Sequence, residues 1–108
     1  MIEKTGPHGY REVVDGVLLK TLLHGELTHM TEVKLAAGAL IPEHRHPHEQ
    51  IGYLVTGALR FFWGDEEKVV SAGDSWVWPG GAPHGAEALA DTVVVEVFSP
   101  VREDYLQG

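Results

Sequence analysis

The amino-acid sequence predicts an all-β fold, a sandwich or barrel of short strands in one domain. Three observations carry that expectation. Apolar runs are brief and rich in Val, Leu, Phe and Trp, and turn signals close them, with 13 glycines and 6 prolines spread evenly along 108 residues. Several runs alternate apolar with polar residues, the period of a half-buried strand. No segment sustains a 3.6-residue apolar period over the roughly 11 residues an amphipathic helix needs.

Taken in order, the first strand covers residues 17–24 and stops at Gly25. Residues 28–36 follow, where Met30, Glu32 and Lys34 oppose Thr31, Val33 and Leu35, and Gly38 ends the run. Strands at 50–55 and 58–63 are separated by Thr56-Gly57, and the second ends at Gly64-Asp65. Residues 68–71 and 75–77 flank Gly73-Asp74, and Pro79-Gly80-Gly81 precedes a strand at 84–90. Beyond Ala90-Asp91 the last strand, 92–98, is apolar on both faces, which puts one face on a core and the other at a cavity or an interface. Residues 102–106 suit a single helical turn. Tyr10, Val13 and Val14 offer a further strand to a partner's sheet, and open strand edges invite pairing, so the chain is expected to be a homodimer formed through sheets or exchanged N-terminal strands.

Composition narrows the function. An apolar fraction of 44% with 22% charged residues is that of a globular chain, and residues 1–108 make one domain. There is no apolar run of about 18 residues to span a membrane. The first residues lack the apolar stretch of a signal peptide, so the cytoplasm is the expected location. Without cysteine there is no disulfide, thiol catalysis or Cys-ligated zinc. A net charge of −8 argues against nucleic acid and anionic lipid as partners.

Four of the seven histidines fall at 44, 46, 48 and 84. On an extended chain His44 and His46 point to one side with Arg45 opposite, which is how a strand offers two imidazoles to one metal ion. Pro47 interrupts pairing, and the bend Pro47-His48-Glu49 returns Gln50 to the same side. His84, opening a later strand, supplies a third imidazole. His48 sits in the bend, facing solvent or standing behind a ligand. Trp76 and Trp78 share a strand face as core or pocket wall. Glu96 is a lone carboxylate in an apolar strand and is costly to bury unpaired. An ion pair with Arg102 and a catalytic place beside the metal are both open to it. His8, His24 and His29 have no partner in the sequence and receive no role.

These residues resemble the two motifs of the cupin superfamily. Gly38, His44, His46, Gln50 and Gly57 fit the first, and Gly73, Pro79, Gly81 and His84 the second. The departures are Gln50, where most cupins have Glu, and Ala88, where the motif has Asn. The resemblance spans residues 38–84 and implies a single jelly-roll barrel. It also implies one divalent transition metal (Zn, Ni, Mn or Fe) held by His44, His46, Gln50 and His84. With only neutral ligands the site stays near +2, which suits Lewis-acid chemistry on an anionic or carbonyl substrate and departs from the two-His-one-carboxylate pattern of many Fe(II) oxygenases.

The tail, residues 96–106, and the run His44-Arg45-His46-Pro47-His48-Glu49-Gln50 resemble the pectin-degradation cupins, which convert 4,5-unsaturated monouronates to linear ketonised sugars. That resemblance implies catalytic roles for Phe98, Arg102 and the carboxylate at Glu96, where the family has Asp. The expected function is isomerisation or tautomerisation of a small anionic sugar acid. Glu96 would move the proton, Arg102 would hold the substrate carboxylate and Phe98 would shape the pocket. Two alternatives are a metal-dependent oxygenase that consumes O₂ and a non-catalytic cupin that binds a small ligand.

Overall fold

The computed structural model describes residues 1–106. Ten strands precede one helical turn: β1 (Arg11–Val14), β2 (Val17–His24), β3 (His29–Leu35), β4 (Leu40–His44), β5 (Glu49–Thr56), β6 (Ala58–Trp63), β7 (Glu66–Ser71), β8 (Ser75–Trp78), β9 (His84–Ala88), β10 (Thr92–Ser99) and α1 (Glu103–Leu106). They form a jelly-roll barrel of two sheets. One has the order β1-β2-β3-β10-β5-β8 and the other β4-β9-β6-β7, with antiparallel neighbours throughout.

Period-two alternation sends one face of each sheet inward. Val17, Leu19, Val33, Leu35, Leu54 and Val94 meet Leu59, Phe61, Ala86 and Ala88 in a single core. β10 lies between β3 and β5, and its inward residues change character along the strand. Val94 pairs with Val33 and Leu54 in the core, Glu96 lies opposite Thr31 and Gly52, and Phe98 lies opposite His29 and Gln50. The barrel therefore passes from packed core to chemical site along one strand face.

One strand escapes the sequence reading, and another pairs differently from the expectation. β4 contains Pro42 and Glu43 and is mostly exposed, so it shows no apolar alternation; as an edge strand it tolerates the proline. Residues 11–14 do form a strand, which pairs here with β2 of the same chain across a bulge. The expected helical turn is present as α1. Among the described residues, no helix is long and apolar enough to cross a membrane.

Gly52 permits the closest approach inside the barrel. It faces Trp76 across β5 and β8, and a Cβ there would lie 2.3 Å from the indole. Gly52→Ala should therefore lower stability by about 1–3 kcal/mol, the usual cost of overpacking a core, and should disturb Trp76 fluorescence. Urea unfolding followed by tryptophan emission measures both effects, and an unchanged midpoint would show that the indole shifts at no cost.

Candidate metal centre

His44 closes β4 and His84 opens β9, and the two are register partners whose ring centroids lie 4.6 Å apart. His46 lies just beyond β4, its ring 5.2 Å from that of His84 and 5.6 Å from that of His44. The turn at residues 79–81 holds this loop in place. Gly81 N–H donates to the His46 carbonyl at 2.8 Å, and Gly80 approaches the Pro47 carbonyl so closely that a Cβ would sit 2.3 Å from its oxygen. The Pro-x-Gly motif thus clamps the His-x-His motif through backbone contacts that a larger residue at 80 would break.

The ligand atoms of His44, His46 and His84 all lie within 4.8 Å of one another. Each ring is oriented from behind. Nδ1 of His44 bonds the Pro42 carbonyl at 3.0 Å, Nδ1 of His46 the His48 carbonyl at 3.0 Å, and Nδ1 of His84 the Ala82 carbonyl at 2.9 Å. A carbonyl only accepts, so each Nδ1 carries the proton and each Nε2 keeps its lone pair. The buried Nε2 of His84 has no hydrogen-bond partner among the described residues. That of His46 lies 2.9 Å from Gln50 Oε1. Gln50 Nε2 donates to the Glu96 carboxylate, which turns the amide oxygen toward His46. Two lone pairs at that separation repel unless a cation lies beside them. The residues present therefore fit a divalent metal, with three imidazoles and one amide oxygen as its ligands.

Removal from water dominates the electrostatics. Burial, aided by the charges of His44, His46 and Arg102 and opposed by the Ala82 carbonyl, lowers the His84 pKa to about 4. Burial and then Arg102 lower that of His46, against its contacts with Gln50 and the His48 carbonyl. Both rings are thereby kept in the neutral form that a metal requires. Trp78 stacks on His84 with centroids 5.0 Å apart and planes 7° from parallel, and Phe98 meets His46 edge-on at 5.8 Å. His48 is half-buried beside His46, outside the ligand group.

His44, Gln50 and His84 open onto a cavity of about 310 Å³. His44, Gln50, His84, Glu96, Phe98 and Tyr105 line its polar end, and Val17, Leu19, Val33 and Leu35 are among its apolar walls. Burial raises the Glu96 pKa, while the Gln50 amide, the nearby Trp76 indole and the charge of Arg102 pull it back. Arg102 does not line the cavity. Its guanidinium pairs with Asp104 through Nε at 3.1 Å and Nη2 at 2.7 Å and lies on two rings that do line it, Tyr105 at 3.9 Å and Phe98 at 5.1 Å. Its buried Nη1 has no hydrogen-bond partner among the described residues. Of the two uses open to Glu96, the ion pair with Arg102 is therefore not formed: Glu96 bonds Gln50, and Arg102 bonds Asp104. Asp104 and Tyr105 were missed as members of the site. Their only signal was their place, two and three residues beyond Arg102.

Residues 31–99 match the model of the cupin domain. The chain belongs to the cupin family. Within it, the chain resembles the small pectin-degradation cupins. It is similar to the structure of KdgF from Halomonas sp., with 37% identity over 90% of this chain and 92% of that one and a TM-score of 0.84. An RmlC-like cupin from Shewanella frigidimarina is 28% identical over 89% of this chain and 86% of that one, with a TM-score of 0.83. The DMSP lyase DddQ from Ruegeria pomeroyi shares the fold at 22% identity, over 82% of this chain and 49% of that one, with a TM-score of 0.75. No curated protein matches the chain.

Zn²⁺, Ni²⁺ or Mn²⁺ added to metal-free protein should raise its melting temperature, and His84→Ala should abolish the rise. Undiminished metal content in a His44/His46 double alanine variant would rule the site out. The metal-free protein has a defined pH response. His84 titrates near 4 when folded and at about 6.5 when unfolded, so between these values the unfolded chain binds more protons. Its contribution to stability is complete above about pH 6.5 and is lost as the pH falls toward 4, a decline that acid titration of the unfolding midpoint follows.

Proposed function

We propose that this cupin is a metal-dependent isomerase or tautomerase acting in the cytoplasm on a small sugar acid such as a 4,5-unsaturated monouronate. The observation that carries the reading is the convergence, in one cavity of small-molecule size, of an all-neutral ligand cluster and the Glu96 carboxylate. The tail shared with the pectin-degradation cupins and the likeness to KdgF support it. A divalent metal, when bound, supplies a Lewis acid that polarises a substrate oxygen.

The chain's own residues supply the rest. Glu96 is held by Gln50 through Oε2 and lines the cavity, where its carboxyl group would exchange a proton with the substrate. Its raised pKa brings it nearer to neutrality, where a group can both take and return a proton. In ketonisation that proton leaves a hydroxyl oxygen and arrives on carbon. Phe98 forms cavity wall and fixes the edge of His46. Arg102 places positive charge behind Phe98 and Tyr105, which line the cavity, and through them would favour a substrate carboxylate at that end.

Glu96→Gln should leave metal content unchanged and lower turnover of unsaturated uronates by about 10²-fold or more, the scale of a lost general acid–base group. Arg102→Ala should mainly raise KM. If the metal-loaded protein clears uronates no faster than buffer, the isomerase reading fails. Oxygen uptake recorded in parallel would then point to an oxygenase, and ligand binding without turnover to a binding cupin.

We propose further that two copies pair. The outer face of the six-stranded sheet exposes Met30, Ile51, Tyr53, Val55 and Val77, and register aligns Met30, Val97, Ile51 and Val77 across four strands. Light scattering at micromolar concentration should give twice the chain mass, and Ile51→Lys should reduce it to one. A monomer of the unaltered chain overturns the proposal.

A further inference from the structure

We infer that His29, a residue outside the metal centre, positions the C-terminal segment at residues 100–106 and thereby sets Tyr105 at the cavity wall and the Arg102 guanidinium behind it. The consequence for substrate binding rests on the function proposed above; the structural part does not.

His29 opens β3, is fully buried and stands opposite Phe98 in register. A buried imidazole requires partners for both nitrogens, and both are present. Nδ1 lies 3.1 Å from the backbone nitrogen of Arg102, and Nε2 lies 2.8 Å from Thr21 Oγ1. A backbone N–H can only donate. Nδ1 is therefore the acceptor, and Nε2 carries the proton and donates to the Thr21 hydroxyl. The neutral ring that this arrangement needs is favoured by burial and then by the charges of His24 and Arg102, all of which lower the pKa of His29 against the weaker pull of Asp104 and Glu103.

The N–H that His29 accepts belongs to the residue from which α1 is built, since the Arg102 carbonyl accepts Tyr105 N–H at 3.0 Å. Tyr105 then stands edge-on to His29, with centroids 6.2 Å apart, and edge-on to Phe98 at 5.6 Å. The helical turn has no fully buried residue, only the partly buried Tyr105 packed on the core, so polar ties to the barrel also decide where it sits. Two of these are exposed, Ser99 Oγ to the Leu27 carbonyl and Arg11 to the Asp104 carbonyl. The contact with His29 is buried, and it lies midway along the segment.

Hydrogen exchange on the metal-loaded protein tests the inference. His29→Leu removes the acceptor and should make the Arg102 and Tyr105 amides exchange about tenfold faster or more, the scale of one lost hydrogen bond, while Leu54 and Leu59 in the sheets keep their rates. His29→Asn places a side-chain oxygen near the site of Nδ1 and should restore most of the protection. Thr21→Val keeps the ring but takes away the partner of Nε2–H, and should loosen the same two amides by a smaller factor. Metal affinity should not change in any of the three variants. With an unsaturated uronate as substrate, His29→Leu should raise KM about tenfold and change kcat less, as expected when binding rather than chemistry is lost. Unchanged tail amides in both His29→Leu and Thr21→Val overturn the inference, as does a loss of protection that spreads equally to Leu54 and Leu59. If the tail amides respond as expected but the unaltered protein turns over no uronate, His29 keeps its positioning role and the substrate reading is what fails.

Discussion

The pairing of β10 with β3 on one side and β5 on the other is the constraint on which the rest of the molecule depends. This register sets Val94 between Val33 and Leu54 and, four residues on, Phe98 between His29 and Gln50. A slip of one residue would turn Glu96 and Phe98 outward and bring Val95 and Val97 in. The core would remain apolar, but the carboxylate would leave the amide it orients. Packing at one end of the strand therefore holds the chemistry at the other.

Within the site, hydrogen bonds from behind orient the side chains without adding a charged ligand. Backbone carbonyls take the three Nδ1 protons, and Glu96 takes an amide proton of Gln50, so that each ligand residue presents a lone pair to the same space. Negative charge remains near the metal position but one residue removed from it. A metal held there by neutral ligands would keep its electrophilicity, and the proposed proton transfer would fall to the carboxylate nearby.

Much of this was legible in the sequence, and the rest was not, for physical reasons. His44, His46, Gln50 and His84 were legible because strand alternation and turn residues are local properties, and the structure gathers these four side chains at one point. The fold class followed from the same punctuation. β4 was hidden because an edge strand need not bury either face, and Pro42 disguised it further. The partners of Glu96 and Arg102 were hidden because long side chains choose among neighbours by packing, which spacing does not encode: Arg102 turned to Asp104, two residues away, and Glu96 to Gln50, forty-six residues away. His29 had no sequence partner at all, since Thr21 reaches it only across the pairing of β2 with β3, and Arg102 only through the segment that follows β10.

The parallel stack of Trp78 on His84 gives the protein a built-in optical probe. Indole emission is sensitive to charge and to open-shell ions held within a few ångströms, and this ring rests against a residue of the ligand cluster. A paramagnetic ion such as Ni²⁺ would darken it, a closed-shell ion such as Zn²⁺ would leave it bright, and a proton on His84 would alter it in a third way. Occupancy, ion type and protonation of the centre can thus be followed from the ultraviolet fluorescence of the unlabelled chain.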